Sequence, residues 1–322
     1  MSDTTTLDVL VKARRNEALD ICSFELVDGA GAALPAFTAG SHLDVHLPNG
    51  LTRQYSLCND PAENHRYLIA VLREPASRGG SQAMHDAVQV GTRLRISAPK
   101  NHFELAGAAE HSLLLAGGIG VTPILAMARR LARTGASFEM HYCVRSRERA
   151  AFADEIAASA FTQNVSLHLD DGAPEQKLDL ERLLAASVAG RHLYVCGPKG
   201  FMDAVLGTAR RCGWPEERLH WEFFAADVLK SDTDAVFSVK VASSGQVVEV
   251  RPGQTIVEAL AAAGVGVETS CEQGVCGTCL TRVLEGVPDH RDSYLMPGEQ
   301  SRNDQMLVCC SRSRSPLLVL DL

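Results

Sequence analysis

The chain has 322 residues, which is long enough for two or three domains, and 46% of them are hydrophobic, an ordinary content for a globular protein. A formal net charge of -8 argues against nucleic-acid binding, because the phosphates would be repelled. With neither a leader-like N-terminus nor an apolar stretch of about 18 residues, the sequence predicts a cytoplasmic protein without a membrane anchor, and we expect a monomer.

Residues 1–103 are predicted to form short strands separated by turns, with one helix at Ser81–Ala87 and a hairpin turn at Pro48-Asn49-Gly50. Short, evenly spaced strands of this kind are typical of a small antiparallel β-barrel domain. The predicted strands are Leu7–Ala13, Ile21–Leu26, His42–Leu47, Leu51–Leu57, Tyr67–Leu72 and Arg93–Ser97.

Two short motifs lie in this region. Arg53-Gln54-Tyr55-Ser56 ends a predicted strand and, taken alone, fits a plain amphipathic strand. Arg78-Gly79-Gly80-Ser81 precedes the predicted helix, where backbone N–H groups, a hydroxyl and the helix N-terminus would bind a phosphate. A glycine turn with Ser81 as the helix N-cap is the simpler interpretation of the second motif.

From residue 104 to 225 apolar strands alternate with helices, the pattern of a doubly wound α/β nucleotide-binding domain. Gly117-Gly118-Ile119-Gly120-Val121-Thr122-Pro123 follows the first strand and opens the first helix, the context in which a glycine-rich loop binds a dinucleotide. A tight strand-to-helix connection is the alternative. The predicted strands are Ser112–Ala116, Phe138–Val144, Val165–Leu169 and His192–Cys196, and the predicted helices are Pro123–Ala132, Ala150–Ala158, Leu178–Ala185 and Pro198–Cys212.

Two further motifs stand at strand ends of this domain. Cys196-Gly197-Pro198 follows one strand, and in isolation Cys196 would be a buried strand-end thiol. His220-Trp221-Glu222-Phe223-Phe224-Ala225 closes the domain, and its alternating aromatic residues also fit a core strand.

Residues 226–235 are polar and without periodicity, which indicates a linker. Residues 236–322 then contain a hairpin, a helix and a returning strand, the order expected of a β-grasp ferredoxin domain. The predicted elements are the strands Phe237–Val241, Val247–Val250 and Leu317–Leu320 and the helix Ile256–Ala263.

Four cysteines in this last domain have the spacing C-x4-C-x2-C-x29-C, the signature of a plant-type 2Fe-2S cluster; they are Cys271, Cys276, Cys279 and Cys309. The x29 gap selects Cys309 over the adjacent Cys310. Gly274 and Gly277 would give the loop unusual backbone angles. A zinc site is the alternative, but structural zinc sites usually pair their ligands in C-x2-C units, and one such unit is present here.

In their order along the chain, these motifs resemble those of the phthalate dioxygenase reductase family over essentially all 322 residues. The resemblance implies that Arg53 binds the flavin phosphate, that Tyr55 stacks on the flavin and that Ser56 hydrogen-bonds near flavin N5. The R-G-G-S motif is similar to the phosphate site of FMN-binding members, so we expect FMN rather than FAD. That site would comprise Arg78, Gly79, Gly80 and Ser81.

The same resemblance assigns the nicotinamide site. Cys196 would lie beside nicotinamide C4, Glu222 would make a polar contact near the flavin, and Phe224 would cover the flavin ring. Ser56, Cys196 and Glu222 are therefore the expected catalytic residues. The dinucleotide would also contact Gly117, Gly118, Gly120, Thr122, Gly197 and Pro198.

The choice between NADH and NADPH depends on charge near the adenosine ribose. Asp170 and Asp171 would repel a 2'-phosphate, whereas Ser146 and Arg147 would accept one. We expect NADH, with NADPH the poorer donor.

The function implied by the resemblance is transfer of a hydride from NADH to FMN, followed by delivery of single electrons through the cluster to a Rieske-type terminal oxygenase acting on a small organic substrate. Residues 235–322 carry ten acidic and seven basic side chains, which would steer this domain toward a basic patch on the partner. A reductase for a haem or di-iron partner and a non-enzymatic redox- or metal-sensing module are the alternatives.

Overall fold

The computed structural model describes residues 6–75, 77, 79–185, 188–224 and 234–322, and of Pro297 only the backbone. The chain divides into two compact units, Met1–Phe224 and Ala225–Leu322. Most of the predicted linker, 226–235, lies outside the described residues. Within the described ranges, no helix has the length and apolar character needed to cross a membrane.

The first unit begins with an antiparallel sheet in the order β4-β3-β6-β1-β2-β5, with β7 paired to β3. An antiparallel bridge between Leu57 and Ile69 brings the residue after β4 against β5. The elements are β1 (Thr6–Ala18), β2 (Ile21–Asp28), β3 (Ser41–His46), β4 (Thr52–Ser56), β5 (Tyr67–Leu72), α1 (Gly80–Ala87), β6 (Arg93–Ser97) and β7 (Lys100–Asn101).

The six predicted strands and the predicted helix of this region are confirmed, but β1 is almost twice its predicted length. It continues past Ala13 because its pairing with β2 continues to Ala18. The register of that pairing shifts twice, between Val11 and Ala13 and between Asn16 and Ala18. Such bulges break the alternation of apolar and polar residues, and that alternation is what a sequence-based prediction follows.

A parallel sheet in the order β10-β9-β8-β11-β12 forms the rest of the first unit. The chain adds strands on one side of β8 and then crosses to the other, so the carboxyl ends of β8 and β11 flank the switch point where ligands bind in such sheets. The elements are β8 (His111–Gly117), α2 (Val121–Thr134), β9 (Phe138–Val144), α3 (Ala153–Ala157), β10 (Val165–Leu169), α4 (Leu180–Leu184), β11 (Arg191–Cys196), α5 (Lys199–Arg211) and β12 (Leu219–Glu222).

Strand β8 is buried on both faces, because Leu114 and Ala116 pack into one core and Leu113 and Leu115 into another. Helices α3 and α4 begin later and are much shorter than predicted, for local reasons. Phe152 has a left-handed backbone and delays the start of α3.

Helix α4 likewise starts late, since the Asp179 side chain accepts from the N–H of Arg182 and thereby caps the helix.

The second unit contains a mixed sheet in the order β14-β13-β19-β15-β17, with β13 and β19 parallel. A capping box between Thr255 and Glu258 starts its helix α6. The elements are β13 (Phe237–Val241), β14 (Val247–Val250), α6 (Ile256–Ala262), β15 (Leu280–Glu285), β16 (Pro288–Asp289), α7 (Pro297–Gln300), β17 (Gln305–Leu307), β18 (Arg312–Ser313) and β19 (Leu317–Leu320).

The last two residues of the predicted linker are held against this second unit. The Asp234 carboxylate pairs with Arg291 at 2.8 Å and with Arg312 at 3.4 Å, and Arg312 donates to the carbonyl of Ala235 at 3.0 Å. The anchored part of the unit therefore begins at or before Asp234.

Candidate functional site

Two glycine-containing loops meet at the carboxyl ends of β8 and β11. A Cβ atom on Gly120 would overlap the carbonyl group of Cys196 and lie 2.6 Å from the nitrogen of Gly197. A Cβ on Gly197 would lie 2.9 Å from the Cα of Gly117. The two loops therefore touch backbone to backbone, which requires glycine at Gly120 and Gly197, and a Cβ on Gly117 would lie 2.7 Å from the Phe201 ring.

Thr122 and Pro198 support these loops. The buried Thr122 hydroxyl donates to the carbonyl of Ile119 at 3.0 Å and so holds the turn that contains Gly120, at the end of the short 3-10 helix Gly118–Gly120. Pro198 precedes α5 and would contact any Cβ at Gly117, at 3.0 Å. The side-chain hydrogen bond of Thr122 is thus made within its own loop.

Cys196 is the last residue of β11 and is fully buried. Burial raises the pKa of its thiol well above the ordinary value, and the nearby Glu222 carboxyl group raises it further. The thiol is therefore neutral at physiological pH and does not act as a nucleophile.

Ser56 and Glu222 come together from the two sheets of the first unit. The Ser56 hydroxyl donates to Glu222 Oε2 at 3.2 Å, and Glu222 is paired with Cys196 in the register of β11 and β12. Burial raises the pKa of the Glu222 carboxyl group to about 8, and the hydrogen bond from Ser56 acts against that rise. The three residues expected to be catalytic thus form one cluster.

His42 belongs to the same cluster but was not predicted. Its Nδ1 lies 3.8 Å from Glu222 Oε1, and it is paired with Ser56 in the register of β3 and β4. Only the strand pairing places this histidine beside Ser56, because the two are fourteen residues apart with no shared motif.

Arg53 joins the two motifs of the first sheet. A Cβ on Gly80 would lie 2.7 Å from Arg53 Cγ and Nε, so the arginine side chain lies across the first residue of α1. Gly79 is the N-cap of this helix and provides no side-chain cap. A guanidinium and uncapped N–H groups at one point suit an anion such as a phosphate.

Ser81 is not the N-cap that the simpler interpretation assumed. Its hydroxyl accepts from the N–H of Glu74 and donates to Ser77, both at 3.1 Å. Arg78, the first residue of the R-G-G-S motif, lies outside the described residues. Tyr55 is half-buried against the core of the first sheet, and burial raises the pKa of its hydroxyl.

The two phenylalanines after β12 separate onto different cores. Phe224 packs against the core that contains Cys196, whereas Phe223 packs against the core on the other side of the sheet. Phe224 is therefore the aromatic residue on the Cys196 side.

At the outer edge of the parallel sheet, the loops after β9 and β10 lie side by side. The N–H groups of Asp170 and Asp171 donate to the last carbonyl of β9 and to the next one, at 3.0 and 3.1 Å. Arg147 in the loop after β9 pairs with Asp154 at 2.7 Å. This arginine is thus already paired with an acidic group, while Ser146 precedes it in the same loop.

The four cysteines of the second unit are buried and contact one another. Hydrogen bonds from Cys276 and then Cys309 lower the pKa of Cys271. Cys309 also contacts Cys279. The N–H of Gln273 donates to the Cys271 sulfur at 3.3 Å. Clustered thiols with an amide directed at sulfur fit the ligand chemistry of an iron–sulfur cluster.

The loop around these thiols has the unusual backbone that the sequence predicts. Gly274 and Gly277 have φ values of +71° and +76°. A Cβ on Gly274 would overlap the Cys310 sulfur, and one on Gly277 would overlap the Tyr294 ring. Cys310 is buried too, but its thiol donates to the carbonyl of Leu307 at 3.7 Å.

Family models match two parts of the chain. Residues 239–314 match the 2Fe-2S iron-sulfur cluster binding domain, and residues 92–219 match the N-terminal domain of proteins like dimethylamine monooxygenase subunit DmmA. The first match contains all four cysteines and Cys310.

Curated relatives match the whole chain. Vanillate O-demethylase oxidoreductase of Pseudomonas putida is 54% identical over 98% of this chain and 100% of its own length. Phthalate dioxygenase reductase of Burkholderia cepacia is 40% identical, covering 98% and 97%.

Among solved structures, phthalate dioxygenase reductase, described as a modular structure for electron transfer from pyridine nucleotides to 2Fe-2S, matches with a TM-score of 0.79 and 40% identity over 98% of both chains. An intact type IV self-sufficient cytochrome P450 monooxygenase matches 98% of this chain with a TM-score of 0.83 and 37% identity, over 41% of its own length. The resemblance drawn from the motifs is confirmed: the protein belongs to the phthalate dioxygenase reductase family, the iron–sulfur oxidoreductases that are reductase components of oxygenase systems.

Proposed function

We propose that this protein takes a hydride from NADH onto FMN and passes electrons singly through a 2Fe-2S cluster to an oxygenase. The observation that carries the proposal is the cluster of Ser56, Cys196 and Glu222, which two sheets place beside the glycine loops at the switch point. Full-length relatives with reductase activity support the same conclusion.

FMN is assigned to the first sheet of this chain. Arg53 and the start of α1 would bind its phosphate, because the absence of a side chain at Gly80 lets the Arg53 side chain lie against the helix N-terminus. Tyr55 and Phe224 would flank the ring system. The bridge between Leu57 and Ile69 supports the further proposal that this sheet closes into a barrel. The chemistry that bound FMN supplies is the conversion of a two-electron hydride into single electrons.

The residues around the ring system would orient the reactants and keep charge out of a buried site. Glu222, with a pKa of about 8, is mostly protonated at pH 7 and adds no full negative charge beside the electron-rich centre. The thiol of Cys196 is neutral too, and the close approach of the two glycine loops would fix the position of the nicotinamide site beside it.

The cluster is assigned to Cys271, Cys276, Cys279 and Cys309 of a β-grasp domain that follows a linker. The contacts of Cys309 with Cys271 and Cys279 support its choice over Cys310. Amide N–H groups of the loop would tune the potential of the cluster.

The proposed partner is a Rieske-type oxygenase that hydroxylates or demethylates a small organic substrate. The vanillate O-demethylase relatives support this choice. A monomer and a cytoplasmic location are parts of the same proposal. A haem partner is the second candidate, because the match to a self-sufficient cytochrome P450 monooxygenase spans almost all of this chain.

Anaerobic titration of the holoprotein with NADH and, separately, with NADPH tests the proposal. NADH is expected to bleach the flavin at a much lower concentration than NADPH, because Asp170 and Asp171 lie beside the predicted ribose site and Arg147 is already paired with Asp154. Equal responses to both nucleotides would refute the NADH assignment, and no response to either would refute the proposed function.

A further inference from the structure

The proposed function leaves one proton without a route out of the protein, and the inference drawn here rests on that function. A hydride carries two electrons and one proton. When both electrons have left through the cluster, the proton remains in a site whose polar side chains, Ser56 and Glu222, are largely buried. Cys196 offers no exit, since its thiol stays protonated at physiological pH.

Glu222 connects this site to a second group. One carboxyl oxygen, Oε2, accepts the hydrogen bond from Ser56 at 3.2 Å, and the other, Oε1, lies 3.8 Å from Nδ1 of His42. The carboxyl group therefore bridges Ser56 and an imidazole. The longer distance exceeds a hydrogen bond by less than 1 Å, and such contacts commonly shorten when ligands bind.

His42 leads from this carboxyl group to the protein surface. Its side chain is only 5% exposed, and its ring lies against the ring of His102, with centroids 5.6 Å apart and planes inclined by 35°. His102 is exposed, in the segment directly after β7. An imidazole accepts a proton at one nitrogen and releases one from the other, so two neighbouring imidazoles can carry a proton outward.

We propose that His42 and His102 form the outer half of a proton exit whose inner half is Ser56 and Glu222. The protonated Glu222 carboxyl group gives its proton to Nδ1 of His42 and takes the hydroxyl proton of Ser56 in its place, as Ser56 receives the proton left in the site. His42 releases a proton from Nε2 to His102, and His102 releases one to water. Each transfer moves one proton and no electrons.

The charges around His42 are compatible with a transient imidazolium. Lys100 is opposite His42 in the register of β3 and β7, but its Nζ is paired with Asp44 at 2.6 Å. Asp44 lies on the same face of β3 as His42, two residues along. Lys100 is thus neutralised by Asp44, while Glu222 and His102 face the His42 ring.

The test compares proton release with hydride transfer in single turnovers of the holoprotein. The protein is mixed anaerobically with NADH and excess cytochrome c in weak buffer, flavin bleaching reports hydride transfer, and a pH indicator reports protons. In His42→Gln and His102→Gln, proton release is expected to lag behind hydride transfer by about tenfold or more, with a larger solvent deuterium effect. Added imidazole is expected to restore release in His102→Gln.

His46→Gln is the matched control, because His46 ends the same strand but is exposed and contacts Thr52 instead. It should behave as the wild type does. NMR titration of the histidine rings gives a readout without NADH. In Glu222→Gln, the pH midpoint of the His42 titration curve should move and that of His46 should stay in place.

Proton release that keeps pace with hydride transfer in both variants would overturn the inference. His102 is exposed, so its variant remains informative even if His42→Gln fails to fold. A wild-type protein whose flavin NADH does not bleach would instead refute the proposed function, and that result is distinct.

Discussion

Replacing Cys309 by serine is expected to abolish assembly of the 2Fe-2S cluster while reduction of the flavin by NADH continues. The Cys309 thiol contacts both Cys271 and Cys279, and a hydroxyl is a poor ligand for iron in place of a thiolate. The flavin and nucleotide residues lie in the other compact unit, which has its own cores. Cluster absorbance and iron content should therefore be lost, and NADH-dependent flavin bleaching retained.

Cys310→Ser is the matched control, because Cys310 is the adjacent thiol and is equally buried but donates to the carbonyl of Leu307. This variant should assemble the cluster. If Cys310→Ser lost the cluster and Cys309→Ser kept it, the ligand assignment would be wrong. Loss of flavin reduction in Cys309→Ser would show that the two units do not function separately.

Gly120→Ala is expected to remove most NADH-dependent flavin reduction, in the range of 100-fold or more for a displacement of about 1 Å. The backbone of Gly120 is right-handed helical, so alanine has no conformational cost there. The cost is steric: the new Cβ would overlap the carbonyl of Cys196 and approach the nitrogen of Gly197, and backbone atoms cannot rotate aside. The two loops must therefore separate.

Gly200→Ala is the control for this change, because Gly200 lies in α5 and a Cβ there has no heavy atom within 4 Å. It should leave flavin reduction and thermal stability close to the wild type. Stopped-flow bleaching with NADH, together with thermal unfolding, separates a displaced loop from an unfolded protein. Wild-type bleaching by Gly120→Ala would show that the close approach of the loops is not needed.

Much of this site follows from local sequence signals. The glycine loop after β8 is flagged by an apolar strand, several glycines and a helix in succession, and the four cysteines by their spacing. These features can be recognised in the sequence because each chemical requirement is met by residues within one short segment. The positive φ values of Gly274 and Gly277 are of this kind.

What the sequence could not show depends on pairing between distant segments. His42 joins the site through its register with Ser56 and through Glu222, which is 180 positions further along the chain. Strand β15 escaped prediction because two of its large apolar residues, Leu280 and Leu284, are exposed and obscure the alternation. Neither the position of His42 nor the exposure of these two leucines can be recognised from a short stretch of sequence.

Electrons are expected to pass from NADH to the flavin and then to the cluster. Anaerobic rapid mixing of the holoprotein with one equivalent of NADH tests it directly, with flavin followed by absorbance and the cluster by freeze-quench electron paramagnetic resonance. Flavin bleaching is expected first, and the signal of the reduced cluster should then grow as flavin absorbance partly returns. A cluster that stays oxidised while the flavin stays fully reduced would show that electrons do not pass from the flavin to the cluster.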